Sequence, residues 1–150
     1  MLVALLNLPT LNVGLLKFRG VCRSCDLTNA NLEAMDLHGV DLYSATLTGA
    51  NLSGANLSGA DLSAADLTEV NLTVTKLVGA NLATANLDLA NLTETNLSEA
   101  ILTGVDLTSA SIHEINLSRA NLRIVDLSKI DLTGSNLSKA NLDGANLTET

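Results

Sequence analysis

From Leu27 to Leu147 a leucine stands at every fifth position, twenty-five times in succession, with Ile112 the only substitute. Two residues before each lies a small or modest apolar residue, as at Ala30, Ala50, Ala60, Ala80, Ala100, Ala120 and Ala140. Between the two sits Asn or Asp, as at Asn51, Asn56, Asp61 and Asp66, giving the repeat A-(D/N)-L-x-x with Ser, Thr, Gly and Glu favoured last. Neither common element accommodates this period. Five residues of α-helix turn the chain by roughly 500°, so successive leucines would spread around the axis and leave no apolar face. In a straight strand an odd period sends alternate leucines to opposite faces. The pattern instead predicts an all-β coil in which each repeat forms one side and then bends, with every leucine aimed at a shared axis. Asn and Asp suit the bends because they bond their own backbone, and Gly because it accepts unusual φ/ψ. No proline follows Pro9, so each later residue keeps a donor for a β ladder.

These repeats resemble the pentapeptide-repeat family over about residues 22–150. The resemblance implies a right-handed quadrilateral parallel β-helix, four repeats to a coil and about six coils in all. The central leucine and the residue two before it then face inward, and the other three face out. Residues 20 apart should stack, so Leu47, Leu67, Leu87, Leu107 and Leu127 should form one line at ~4.8 Å steps. Residues 1–21 read as an N-terminal cap or precursor remnant, with Leu15, Leu16 and Phe18 placed to cover the first coil. That opening is apolar but lacks a basic start, and Pro9 and Gly14 interrupt it well short of a membrane span. The expected protein is soluble, cytoplasmic or, if a leader is removed, periplasmic or lumenal.

Composition fits a stacked core: one Tyr, one Phe and no Trp leave little with which to fill irregular space. The formal charge of −8 disfavours direct nucleic-acid binding, which needs clustered Lys and Arg. Cys22 and Cys25, in C-R-S-C ahead of the first perfect repeat, extend the register backwards and so point inward. The stretch through C-x-x-C-D-L resembles leucine-type family members from photosynthetic bacteria. The pair reads as buried thiols or as a structural disulfide; no further ligands accompany it, and no metal or cofactor is expected. His38 and His113 face outward on different sides and have no nucleophile or orienting acid to work with.

Charge is the uneven property. Between Asp26 and Ser118 twelve acidic residues face Lys76 alone, a net −11, while both ends are more basic. Glu69, Asp88, Glu94, Glu99 and Glu114 mark a candidate partner surface within that middle. Ile101, Lys76, Val74, Val78, Leu89 and Ile124 break the outward pattern, dispersed over several coils and sides. The last coil offers Leu132, Leu137, Leu142 and Leu147 with no residues after them to cover them, an invitation to a weak homodimer through the C-terminal end. The resulting expectation is a non-catalytic scaffold or protein-interaction module with an unidentified protein partner. The alternative is an acidic rod that imitates DNA towards a DNA-binding protein, as some family members do towards DNA gyrase. That gyrase-directed group is rich in central Phe, however, and this chain has none at its 25 central positions.

Overall fold

Each corner of the chain is set by a backbone requirement that the repeat meets with five different residues. In residues 71–75 all five amides find acceptors. Asn71 and Leu72 donate to carbonyls of the coils before and after, Ala50 at 3.0 Å and Asn91 at 2.9 Å, and Val74 donates to Thr93 at 3.0 Å. Thr75 closes the turn onto Leu72 at 3.1 Å. The fifth amide, of Thr73, has no backbone partner and is taken by the Asn71 side chain at 3.1 Å. That bond is why Asn or Asp precedes the leucine: it supplies the acceptor the ladder cannot. Where Thr46, Lys76, Ile101 and Ser111 occupy the position, the equivalent bond to residues 48, 78, 103 and 113 is lost.

The computed structural model describes Val13, Gly14, Leu16 and residues 20–150. Parallel bridges join the residue before a central position to the residue 20 further on, from Val21–Asp41 through Asn51–Asn71 to Asp126–Asn146, with only Asn86–Asp106 and Ser111–Asp131 missing from the series. One coil is therefore 20 residues, four repeats make a square turn, and the fold is a right-handed quadrilateral β-helix. About six and a half coils stack into a rod roughly 30 Å long. No helix interrupts residues 27–147. Four columns of leucine fill the axis, and from Leu42 to Leu107 the central leucines are 0–1% exposed. Thr75 and Thr95 are buried in alanine positions, and each hydroxyl donates to a leucine carbonyl one coil back, Leu52 at 2.8 Å and Leu72 at 2.7 Å. No buried side-chain nitrogen or oxygen lacks a partner among the described residues.

At the N-terminal end Leu16 is buried and Val13 packs against the core; the expected cap residues Leu15 and Phe18 lie outside the described residues. At the other end Leu132, Leu137 and Leu142 are half-buried, and Leu147 is 46% exposed.

The second residue after every leucine has positive φ, between 51° and 77°, from Ser24 to Glu149, with Ser109 the single exception. Such corners have the type II signature, a left-handed third residue after an ordinary second one. Gly meets this without cost, but β-branched residues do not. Val74 at φ 57° and Ile124 at φ 60° are therefore strained. Val74→Gly and Ile124→Gly should each raise stability by about 1 kcal/mol, read as a higher midpoint in thermal melts. Unchanged or lowered midpoints for both would mean that these corners carry no strain.

Candidate interaction surfaces

The 20-residue coil assigns every outward residue to one of four sides, and the sides differ in charge. The side through Leu27, Leu47 and Leu67 carries Asp26, Asp66, Glu69, Asp88, Asp106, Asp126 and Glu149 against Lys129, a net −6. The next side carries Glu33, Glu94, Glu114 and Asp131, a net −4. The third, with Asp36 and Glu99 against Lys76, Arg119 and Lys139, is +1. The fourth, with Asp41, Asp61 and Asp143 against Arg23 and Arg123, is −1. The rod is two-faced around its axis: ten net negative charges on two adjoining sides and none on the other two.

The five residues expected to mark a partner surface are divided among three sides. Glu69 and Asp88 share the first side, and Glu94 and Glu114 share the second, one coil apart. Glu99 stands on the third side, paired with Arg119 at 3.2 Å. Asp88 also accepts a bond from Ser109 at 3.2 Å. The outward apolar residues are less dispersed than the sequence reading had them. Val74, Val78 and Leu89 do lie on separate sides, but Ile101 and Ile124 share the fourth side with Val21 and Tyr43. Sorting the sequence by twenties rather than by fives would have revealed both patterns.

Six of the aspartates are held ionised by the bonds they accept. The Thr68 hydroxyl (2.6 Å) and amide, with the Thr48 hydroxyl, keep the Asp66 carboxyl below the usual carboxylate range. Asp26, Asp36, Asp41, Asp126 and Asp131 are lowered in the same way, by Thr28, His38, Arg23, Ser128 and Thr133 respectively. A carboxyl with a lowered folded pKa stabilises the fold above its unfolded pKa and loses that contribution as pH falls through the folded value. Melting temperature should therefore decline as pH drops below about 4. Asp66→Asn should flatten part of that decline, and an identical pH profile for the variant would show that the Thr68 and Thr48 bonds contribute nothing.

The remaining candidates are separate. Cys22 is buried, Cys25 half-buried, and a disulfide joins them. His38 pairs with Asp36 at 3.1 Å, and His113 with Glu114 at 3.4 Å, on different sides. Among the described residues no three His, Cys, Asp or Glu gather closely enough to hold a metal. None of their helices is long and apolar enough to cross a membrane.

The family profile described as Pentapeptide repeats matches in eight copies, over residues 25–63, 45–83, 65–104, 85–123 and 115–150. Among solved structures the chain is similar to HetL, a pentapeptide repeat protein involved in heterocyst differentiation regulation from the cyanobacterium Nostoc sp. strain PCC 7120. Identity is 31% over 84% of this chain and 71% of that one, with a TM-score of 0.34. A second Nostoc PCC 7120 pentapeptide repeat protein, alr5209, is 30% identical over 87% and 95% of the two chains, with a TM-score of 0.35. QnrB1, a plasmid-mediated fluoroquinolone resistance protein, is 19% identical over 85% and 73%, with a TM-score of 0.56, a likeness of fold alone. No match was found among curated proteins.

Proposed function

Because the chain belongs to the pentapeptide-repeat family, we propose that it acts without catalysis, as a rigid interaction element whose two acidic sides engage a basic protein surface. What supports this reading is the division of charge around the rod. Ten net negative charges lie on two adjoining sides, while the other two sides are neutral in sum. Glu69, Asp88, Glu94 and Glu114 lie within this acidic band on three consecutive coils. A surface of one sign steers a partner of the other and speeds encounter, an effect that weakens with salt. The test is capture of partners from cell extract by the immobilised protein, followed by salt elution. A variant with Glu69, Glu94 and Glu114 changed to Gln and Asp88 to Asn should lose the salt-eluted partners, whereas Ser98→Lys on the third side should keep them. Equal capture by both variants would refute the acidic band as the binding surface.

A second reading, imitation of duplex DNA, draws on the same band. Its charge density is about one per 3 Å of rod, roughly half that of the duplex, which carries one per ≈ 1.7 Å. The density fits a weak imitator less well than a docking surface for protein. A gyrase supercoiling assay separates the two. The interaction reading expects no inhibition, and inhibition that disappears in the four-residue variant would establish DNA mimicry.

A further inference from the structure

The fourth side of the rod is complementary to itself in one orientation, and we propose that it is a docking surface for a second copy of the chain lying alongside, antiparallel. This side is a stack of seven rows, beginning at residues 21, 41, 61, 81, 101, 121 and 141. A two-fold axis across the middle row, along the strand direction, reverses the rod and sets each row against its mirror row, residue type for residue type within the repeat. Arg23 then faces Asp143, and Tyr43 faces Arg123. Ser63 faces Thr103, and Ala83 meets Ala83 on the axis itself.

Several observations favour this pairing. The Arg123 guanidinium has no ion pair among the described residues, although Asp143 stands one coil away. Its counterpart row holds Asp41 and a Tyr43 ring that is 44% exposed. That ring already takes one cation, the Arg23 guanidinium lying 5.6 Å from its centre, while Arg23 Nε donates to Asp41 Oδ2 at 2.6 Å. The centre of the side is small, with Ala64, Ala83 and Gly104, so two flat sides can approach closely. Ile124, 67% exposed, reaches over the Ser44 row. Three pairs are unmatched, Val21 with Asn141, Ser44 with Ile124 and Asp61 with Ile101, and of these Asp61 is already satisfied by the Ser63 amide and hydroxyl and by Asn81.

The other sides do not share this property. On the strongly acidic side the same operation puts Asp88 against Asp88, and on the third side it places Lys139 and Arg119 opposite Gly39 and Gly59. Parallel stacking on the fourth side would set Arg23 against Arg23. In this pair the two first sides lie on one flank, next to each other, while the two second sides lie opposite the contact, outward and open to partners. Its contact is one side of a slender rod, at the small end for a specific interface, so association should be weak and reversible.

Sedimentation velocity from about 1 µM to 1 mM, with small-angle scattering, should detect such a dimer, whose longest dimension stays near that of the monomer. Ala83→Glu and Ala83→Lys each place like charges face to face on the axis, and each should weaken association about tenfold or more. Mixing the two should restore it as a heterodimer, because only residue 83 opposing residue 83 turns repulsion into attraction. Thermal melts of both variants should match the wild type at this outward position, which separates lost association from lost folding. A strictly monomeric wild type at the highest concentration would overturn the proposal. So would a dimer that is twice the monomer length, indifferent to Ala83 and abolished by Leu142→Lys, since that would be the end-to-end contact through the last coil.

Discussion

Leu67→Lys is expected to abolish the folded rod, while Ser98→Lys shifts the melting temperature by no more than a few degrees. Leu67 is fully buried, stacked between Leu47 and Leu87 of the coils before and after. Its replacement removes roughly 3 kcal/mol of apolar burial and packing. It also brings an ammonium into a column in which no side chain offers a counter-charge, at a further cost of several kcal/mol. Together these rival the whole stability of an ordinary domain, about 5–15 kcal/mol. Lysine cannot escape by extending to water, because three other leucine columns surround the axis. Ser98 stands on the outer surface of the third side, where Lys76, Arg119 and Lys139 already sit. Circular dichroism melts of the two variants decide the matter, and comparable melting of both would refute the inward register.

Hydrogen exchange should be fastest, within the rod, at a fault in the ladder on the C-terminal side of Asn86. The bridges that would join Asn86 to Asp106 and Ser111 to Asp131 are missing from an otherwise regular series. The amides of Leu87, Asp106, Ser109, Ile112 and Glu114 donate to no backbone carbonyl, unlike their equivalents elsewhere. Two departures, one of conformation and one of sequence, coincide with the fault. Ser109 is the corner residue without positive φ, and its hydroxyl takes the Leu89 amide at 3.2 Å in place of a backbone carbonyl. Ile112, the one substitute in the leucine series, is only half-buried. In a stack where each coil touches only its neighbours, a weak interface is where local opening begins. The amides of Leu87 and Ile112 should therefore exchange at least about 100-fold faster than those of Leu47, Leu52 and Leu62. Ser109→Gly with Ile112→Leu should restore protection. Uniform protection along the wild-type rod would show that the fault has no energetic weight.

Much of the architecture was legible because one spacing decided it. A five-residue period excludes both straight elements, and Leu, Asn and Ala each recur where the coil needs core, acceptor and small filler. The fault at Ser109 and Ile112 was not legible. Serine is an ordinary corner residue in this chain, and its loss of the left-handed conformation depends on how neighbouring coils settle. The candidate surface was read along the axis, as an acidic middle, whereas the charge is organised around it. Glu99 looked like Glu94 in sequence. Only the coil length shows that five residues move a side chain to the next side, where Arg119 meets it. The cysteines illustrate a different limit: register places both near the core, but sulfur-to-sulfur proximity is a matter of local geometry.

The uniform 20-residue coil has a consequence for how such a chain can change length. Insertion or deletion of one repeat leaves every leucine pointing inward, so the core tolerates it. Yet each outward residue beyond that point advances by a quarter turn, and the acidic band, the neutral sides and the Arg123 row fall out of line with the coils before. Duplication of four repeats restores the phase and merely lengthens the rod. The fold thus separates two kinds of heredity: steps of five preserve foldability, and only steps of twenty preserve the pattern a partner would read.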